Sequence, residues 1–350
     1  MSSSISSSEP AAWRRFFRLA AGTTAVAVAV LYAFVVLVDP FGSLPLDLPL
    51  DRVPVTSNQR FAYPSLARSA AFDSAIFGTS TSRLLRPAVL NPAFGARFAN
   101  LAMNDATPYE MSRLMAVFAT AHPAARIVVL GVDSPWCVTG DTYEKLTPRA
   151  FPEWMYRQSR WGGYAQMLNL FALQEAGKEF GVLTGLKQPD MGRDGYTRFV
   201  PPDEEYDAPR AAVHLRQAEP RVPGGPRTGA PAGWRFPAVE VMRSDLAALP
   251  AATRKVLFLT PYNVRLLSPV GSDGAAVWDE CKRRVADLAQ AIPNVTVADF
   301  MIPSPITTVD GNYWDPLHYR IGIGDRVAHD LVAAGLGEAS ADYRLLSDGD

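Results

Sequence analysis

The chain has 350 residues, 48% of them hydrophobic, and 34 basic against 35 acidic side chains leave a formal charge of −1. No lysine or arginine block of the kind that tracks a phosphate backbone is present, which argues against nucleic-acid binding, and four histidines outside any ligand-like cluster argue against a structural zinc site. The two cysteines, Cys137 and Cys281, both sit beside apolar residues, where a disulfide in an oxidising compartment and a pair of free buried thiols are both compatible with the sequence.

The first element is a run of twenty uncharged residues, Leu19 to Val38, which as a helix covers about 30 Å, the thickness of a bilayer's hydrocarbon. It is longer than the 7–15 apolar residues usual in a cleaved signal, and Asp39-Pro40-Phe41-Gly42 after it offers no small-x-small site. Arg14, Arg15 and Arg18 precede it against a single Glu9, so the positive-inside bias keeps 1–18 in the cytoplasm and sends the rest across. The expected organisation is a cytoplasmic N-terminus at 1–18, a single-pass anchor at 19–38 and a proline-rich stalk at 39–60. A domain at 61–335 and a polar, solvated tail at 336–350 follow. The domain is expected to be periplasmic or extracellular, and the anchor's partner is the lipid bilayer.

Within the domain, Phe72 to Phe77 predicts a strand that stops at Gly78-Thr79-Ser80, and Thr81 to Leu84 reads as the opening of a helix. A second strand is expected at Phe98 to Ala102. Thr107, Pro108 and Glu110 then occupy the cap, first-turn proline and capping-box positions of a helix whose apolar face is Met111, Leu114, Met115 and Phe118. Ile127 to Leu130 and Val256 to Leu259 predict further strands, with a helix at Val239 to Leu249 before the latter. A helix at Ala276 to Ala291, a strand at Val295 to Ala298 and a helix at Gly324 to Ala334 follow. Uninterrupted apolar strands separated by helices predict an α/β fold, a three-layer α/β/α sandwich with a parallel sheet of about five strands. Two stretches depart from this rhythm: an aromatic-rich insertion of short helices at about 134–180, expected beside the sheet, and a Gly/Pro-rich loop region with hairpin pieces at about 186–236. Insertions after the third strand emerge at the carboxyl ends of the strands, where open α/β sheets bind ligands.

Ser80 falls at such a strand end, with main-chain amides able to face a developing negative oxygen. Far along the chain, Asp315-Pro-Leu-His318 spaces an aspartate and a histidine so that the carboxylate can accept from Nδ1 while Nε2 faces a hydroxyl. Read apart from Ser80, Asp315 is equally compatible with a turn cap and His318 with an ordinary surface position.

Together, Gly78-Thr79-Ser80 after the first strand and Asp315-Pro-Leu-His318 near the C-terminus resemble the first and last blocks of the SGNH (GDSL-like) hydrolase superfamily. The chain is similar in particular to its membrane-anchored bacterial branch of polysaccharide and cell-wall acyl-modifying proteins, the DltD and alginate-acetylation groups. The resemblance covers about residues 60–335. It implies Ser80 as nucleophile, His318 as base and Asp315 as its orienting carboxylate, with a main-chain amide near Asn104 as an oxyanion donor. Two blocks differ from the family: 100–107 carries no glycine, and Gly131-Val132-Asp133 puts Val132 or Asp133 where the family has an asparagine donor. Arg83 and Asp133 are the candidate substrate-binding residues. The implied activity is serine-dependent acyl ester hydrolysis or O-acyl transfer on an envelope or extracellular polysaccharide in the bacterial inner membrane. The alternative is a catalytically degenerate scaffold or glycan-binding protein in an exopolysaccharide or cell-wall assembly. The implied partners are a glycan or acylated small-molecule substrate and, for transfer, a polytopic membrane protein that delivers the acyl group. No cofactor is expected, since neither Gly-x-Gly-x-x-Gly nor Gly-x-x-x-x-Gly-Lys occurs after a strand.

Overall fold

The structure, a computed structural model, describes residues 10–46 and 48–346. Residues 1–9 of the expected cytoplasmic segment, Asp47 of the expected stalk and 347–350 of the expected tail lie outside the described residues. The chain divides into two compact units, one formed by Met1–Val55 with Ser159–Pro189 and the other by Thr56–Gln158 with Asp190–Asp350.

In chain order the helices are α1 (Pro10–Val38), α2 (Gln59–Leu66), α3 (Pro87–Phe94), α4 (Pro108–Ala121), α5 (Gly163–Gln166), α6 (Leu170–Leu183), α7 (Ala208–Arg216), α8 (Pro237–Ala248), α9 (Asp273–Ala291) and α10 (Ile321–Gly335). The strands are β1 (Ser74–Phe77), β2 (Phe98–Asn100), β3 (Ile127–Val132), β4 (Arg254–Leu259), β5 (Val295–Asp299) and β6 (Arg344–Leu345).

The first unit contains α1, α5 and α6. Helix α1 begins nine residues before the uncharged run, so Arg14, Arg15 and Arg18 lie on it, and its apolar window is left largely uncovered. Among the described residues this is one helix, near the N-terminus, long and apolar enough to cross a membrane. The segment expected as a stalk is instead packed: Phe41, Leu44, Val53 and Val55 are buried, the Asp39 carboxylate accepts from Leu44 N at 2.9 Å, and Arg52 Nε donates to Val38 O at 2.8 Å. Its prolines break helix periodicity without preventing burial. The insertion expected at 134–180 is also not one body. Its first part, two short 3₁₀ turns at Ser134–Cys137 and Glu153–Tyr156, belongs to the sheet-bearing unit, and α5 and α6 belong to the first.

The second unit is an α/β/α sandwich on a six-stranded sheet of order β2-β1-β3-β4-β5-β6. The first five strands are parallel, with Ile76 opposite Val129 and Val129 opposite Val256, and all six residues of β3 and the last five of β4 are buried, as covered parallel strands must be. Helices α3 and α10 cover one face, closing a core of Ile76, Leu90, Val129, Val256, Phe258 and Leu331. Helices α4, α8 and α9 cover the other.

Local chemistry explains where several elements start. The capping box of α4 is complete: the Thr107 hydroxyl accepts from Glu110 N, and a Glu110 carboxylate oxygen accepts from Thr107 N at 3.1 Å. Ser272 caps α9 by accepting from Ala275 N, which starts the helix three residues before the expected Ala276.

Two further expectations are corrected, and one helix appears that the sequence reading did not contain. No strand occurs within 186–236 among the described residues; α7, capped by Asp207, and 3₁₀ turns at Asp203–Glu205 and Pro231–Gly233 occur there. Helix α3 was not anticipated, because Pro92 inside it masks the period. The segment 336–346 is not a free tail: β6 pairs antiparallel with β5, Ala298 opposite Leu345, and Tyr343 is buried with its ring 5.0 Å from that of Phe300.

Cys137 and Cys281 form a disulfide, joining the turn after β3 to α9.

Candidate active site

The carboxyl ends of β1 and β3 lie side by side at the point where the winding of the sheet reverses: the connection out of β1 runs to β2 on one side, and the connection out of β2 crosses back over β1 to β3 on the other. Open α/β sheets place their ligand crevice at such a reversal. Gly78, φ +145°, ends β1, and a Cβ built there would stand 2.2 Å from Ser82 Oγ. A Cβ on Gly131 of β3 would stand 1.9 Å from the same oxygen. Two glycines therefore make room for one serine side chain and let the turn that carries Ser80 close down on β3. Met103 N donates to Gly78 O at 3.0 Å, which brings the segment after β2 to the same place.

The expected helix opening after Ser80 is only a 3₁₀ turn, Ser82–Leu84, and α3 starts later, at Pro87. The serine turn therefore does not open directly into an α-helix, and its own donors are individual amides.

His318 lies in the loop between β5 and α10. Its Nε2 is 2.8 Å from Ser80 Oγ, and its Nδ1 is 2.7 Å from Asp315 Oδ2. The other Asp315 oxygen accepts from Leu317 N at 2.8 Å and His318 N at 2.9 Å, so the carboxylate builds the turn that carries its own histidine. Burial would raise the Asp315 carboxyl, but its bond to His318, the histidine's charge and the two amides together hold it below the ordinary carboxylate value. Trp314 N donates to His318 O at 2.9 Å and Asn263 N to Pro316 O at 3.0 Å, fixing the loop on the sheet side. The Tyr319 hydroxyl donates to Thr81 O at 2.6 Å and fastens the histidine loop to the serine turn.

Asn104 lines a cleft of about 400 Å³ together with Phe199, Arg210, His214, Trp314 and His318. Its carbonyl accepts from Arg60 Nη1 at 3.2 Å, and that of Asp105 accepts from Nη2 at 3.4 Å. Arg60 is fully buried, and its Nε donates to Glu110 Oε1 at 2.8 Å. One carboxylate thus caps α4 and neutralises the cation that holds the Asn104 turn, in which Asp105 adopts φ +52°. The main-chain N–H groups of Ser80 and Asn104 have no acceptor among the described residues.

The remaining two candidates lie elsewhere than expected. Asp133 is buried and does not line the cleft; it accepts hydrogen bonds from the Thr79 hydroxyl and, at 3.0 Å, from the Thr81 hydroxyl, the two neighbours of Ser80. Burial raises its pKa, opposed by those two bonds. It is a clamp on the serine turn rather than a group open to substrate. Arg83 is also buried and absent from the cleft wall, its guanidinium 4.6 Å from the centre of the Phe199 ring. Burial lowers its pKa, opposed by the charge and hydroxyl of Tyr63. The Phe199 ring meets the His318 ring edge-on at 5.3 Å, so Arg83 backs the wall that packs on the histidine.

Sequence reasoning missed Phe199, Arg210 and His214, which reach the cleft from the 186–236 insertion, and Arg60, which it assigned to the stalk. The position of that insertion after the third strand pointed at the crevice, but no spacing within it singled out these residues. Among the described residues no group of three or more His, Cys, Asp or Glu could hold a metal ion. No protein-family model and no curated protein matches the chain.

Proposed function

We propose that the second unit is a serine-dependent acyl ester hydrolase or O-acyltransferase of the SGNH type, acting on a glycan or other acylated molecule outside the cytoplasmic membrane. The observation that carries this reading is the continuous hydrogen-bond chain from Ser80 Oγ through His318 to Asp315, with contacts of 2.8 and 2.7 Å. Such a chain orders the steps. With its proton on Nδ1, held by Asp315, the imidazole accepts the Ser80 proton at Nε2 as Oγ bonds to the ester carbonyl carbon. The N–H groups of Ser80 and Asn104 meet the resulting oxyanion. As the carbon–oxygen bond to the leaving alcohol breaks, His318 returns the proton to that alcohol, and an acyl-serine remains. A second passage, with water or a glycan hydroxyl giving its proton to His318, releases acid or transfers the acyl group. The two activities share the acyl-enzyme and differ in the acceptor admitted to the cleft; for transfer, a polytopic membrane protein would supply the acyl donor. Placement of this unit on the outer side is supported by the arginines ahead of the anchor and by the Cys137–Cys281 disulfide, a bond that persists in oxidising compartments.

A non-catalytic glycan-binding role draws on one observation, the carboxylate of Asp133 where the resembled family has an asparagine donor. The two readings separate on labelling with a fluorophosphonate probe. In the full chain purified in detergent, the acyl-transfer reading expects modification of Ser80, lost in Ser80→Ala and sharply reduced in His318→Ala. A folded protein that stays unlabelled while a serine esterase in the same tube reacts would move the assignment to glycan binding.

A further inference from the structure

In the first unit, α6 has its polarity reversed relative to a helix on the surface of a water-soluble protein. Its outward positions, Leu170, Phe171, Gln174, Gly177 and Phe180, carry no charge, and Leu170 is 83% exposed. Its acidic residues turn inward: Glu175 and Glu179 are buried, Lys178 Nζ pairs with Glu175 at 2.7 Å, and Glu179 accepts from Val53 N. The flanking segments repeat the pattern, with Trp161 and Leu168 exposed before the helix and Leu186, 83% exposed, after it.

This uncovered apolar surface is continuous with α1. The Phe180 ring packs against that of Phe34 at 5.7 Å, and the Tyr32 hydroxyl donates to Tyr164 O at 2.9 Å. Phe34 and Tyr32 lie four and six residues before the end of α1 at Val38, so these contacts fall roughly 6 to 9 Å inside the end of the span at 1.5 Å per residue. If Leu19–Val38 fills the hydrocarbon, whatever packs beside Tyr32 and Phe34 is in the hydrocarbon too.

We propose that Trp161–Leu186 is a second membrane contact of this protein, in which α6 and its flanking turns enter the bilayer beside α1 and meet lipid acyl chains with the face carrying Leu170, Phe180 and Leu186. The proposal rests on the reading of Leu19–Val38 as the membrane span. It accounts for the inward acids, since a segment in hydrocarbon keeps its charged groups paired inside. Arg160 and Lys187 bracket the segment, and Arg160 already reaches back to Leu44 O.

The test uses the full chain reconstituted in phosphatidylcholine–phosphatidylglycerol vesicles. Because both native cysteines are in the disulfide, single cysteines at Leu168, Leu170 and Leu186 can be labelled with the environment-sensitive dye NBD, with Val26 on α1 as the reference for the span and the dye–cysteine adduct in buffer as the reference for water. The expected result is a blue-shifted emission and a loss of intensity with doxyl-labelled lipid at all three sites, as at Val26. Water-like emission without lipid quenching at the three sites, with Val26 quenched, overturns the proposal and leaves the anchor intact. Blue-shifted emission without lipid quenching also overturns it, and identifies a protein surface as the cover. Absence of quenching at Val26 overturns both the span and the proposal.

Discussion

At the scale of single residues, the site depends on Asp315 doing two things with its two oxygens: one accepts from the Leu317 and His318 amides, the other holds His318 Nδ1. An asparagine preserves the shape and one acceptor but presents an N–H to Nδ1, which puts the imidazole in the wrong tautomer for taking a proton from Ser80. If the chain is an esterase, Asp315→Asn is therefore expected to lower kcat on an activated ester by about 10⁴-fold, the loss seen when such a carboxylate becomes an amide, with little change in KM. A change confined to KM would assign Asp315 to substrate binding instead. Asp133 illustrates the limit of reading residues one at a time. Its type and position suggest a group facing the substrate, yet the hydroxyls of Thr79 and Thr81 draw it under the serine turn, where it shapes the loop.

At the scale of elements, the helices that cover the sheet are joined by few polar contacts, so each one is informative. Asp245 on α8 accepts from the Ser112 hydroxyl of α4 at 2.8 Å, and its second oxygen is buried without a partner. Burial raises its pKa to about 6, the Ser112 bond opposing. A folded-state pKa above the unfolded one means that the native state binds the proton more tightly. The stability associated with it is complete below the unfolded value near 3.8, declines as pH rises, and is lost above about 6. Asp245→Asn, which removes the charge and keeps an oxygen for Ser112, is expected to stabilise the protein by about 1–2 kcal/mol at pH 8 and to leave it unchanged near pH 4, read by chemical denaturation. Equal effects at the two pH values would show that ionisation is not the cause. Elements were legible where the chain declares its own ends, as Thr107 and Glu110 do for α4. They were not legible where burial overrides local pattern: Pro92 hides α3, and the two residues of β6 are a strand only because β5 offers an edge.

At the scale of the whole molecule, the disulfide closes a loop of 144 residues between β3 and α9. By loop-closure entropy a cross-link of that span stabilises by about 4–5 kcal/mol, so Cys137→Ser with Cys281→Ser should unfold at distinctly lower denaturant concentration with the secondary structure retained beforehand. An unchanged midpoint would mean that the reduced chain is already constrained by its sheet.

The sequence alone determined a helix long and apolar enough to cross a membrane, the alternation of strands with helices and the two blocks that hold Ser80 and Asp315–His318, because each is written in a local stretch of chain: an uncharged length, an apolar period, a spacing of three. It did not determine what those blocks meet. Ser80 and His318 are 238 residues apart, and only the order β2-β1-β3, the Tyr319 bond to Thr81 and the glycines at 78 and 131 bring them within 2.8 Å. The burial of Asp133 and Arg83, the cleft wall from 186–236, the disulfide and the reversed polarity of α6 were likewise decided by tertiary structure, because each depends on which distant surface closes over the residue and not on its neighbours in the chain.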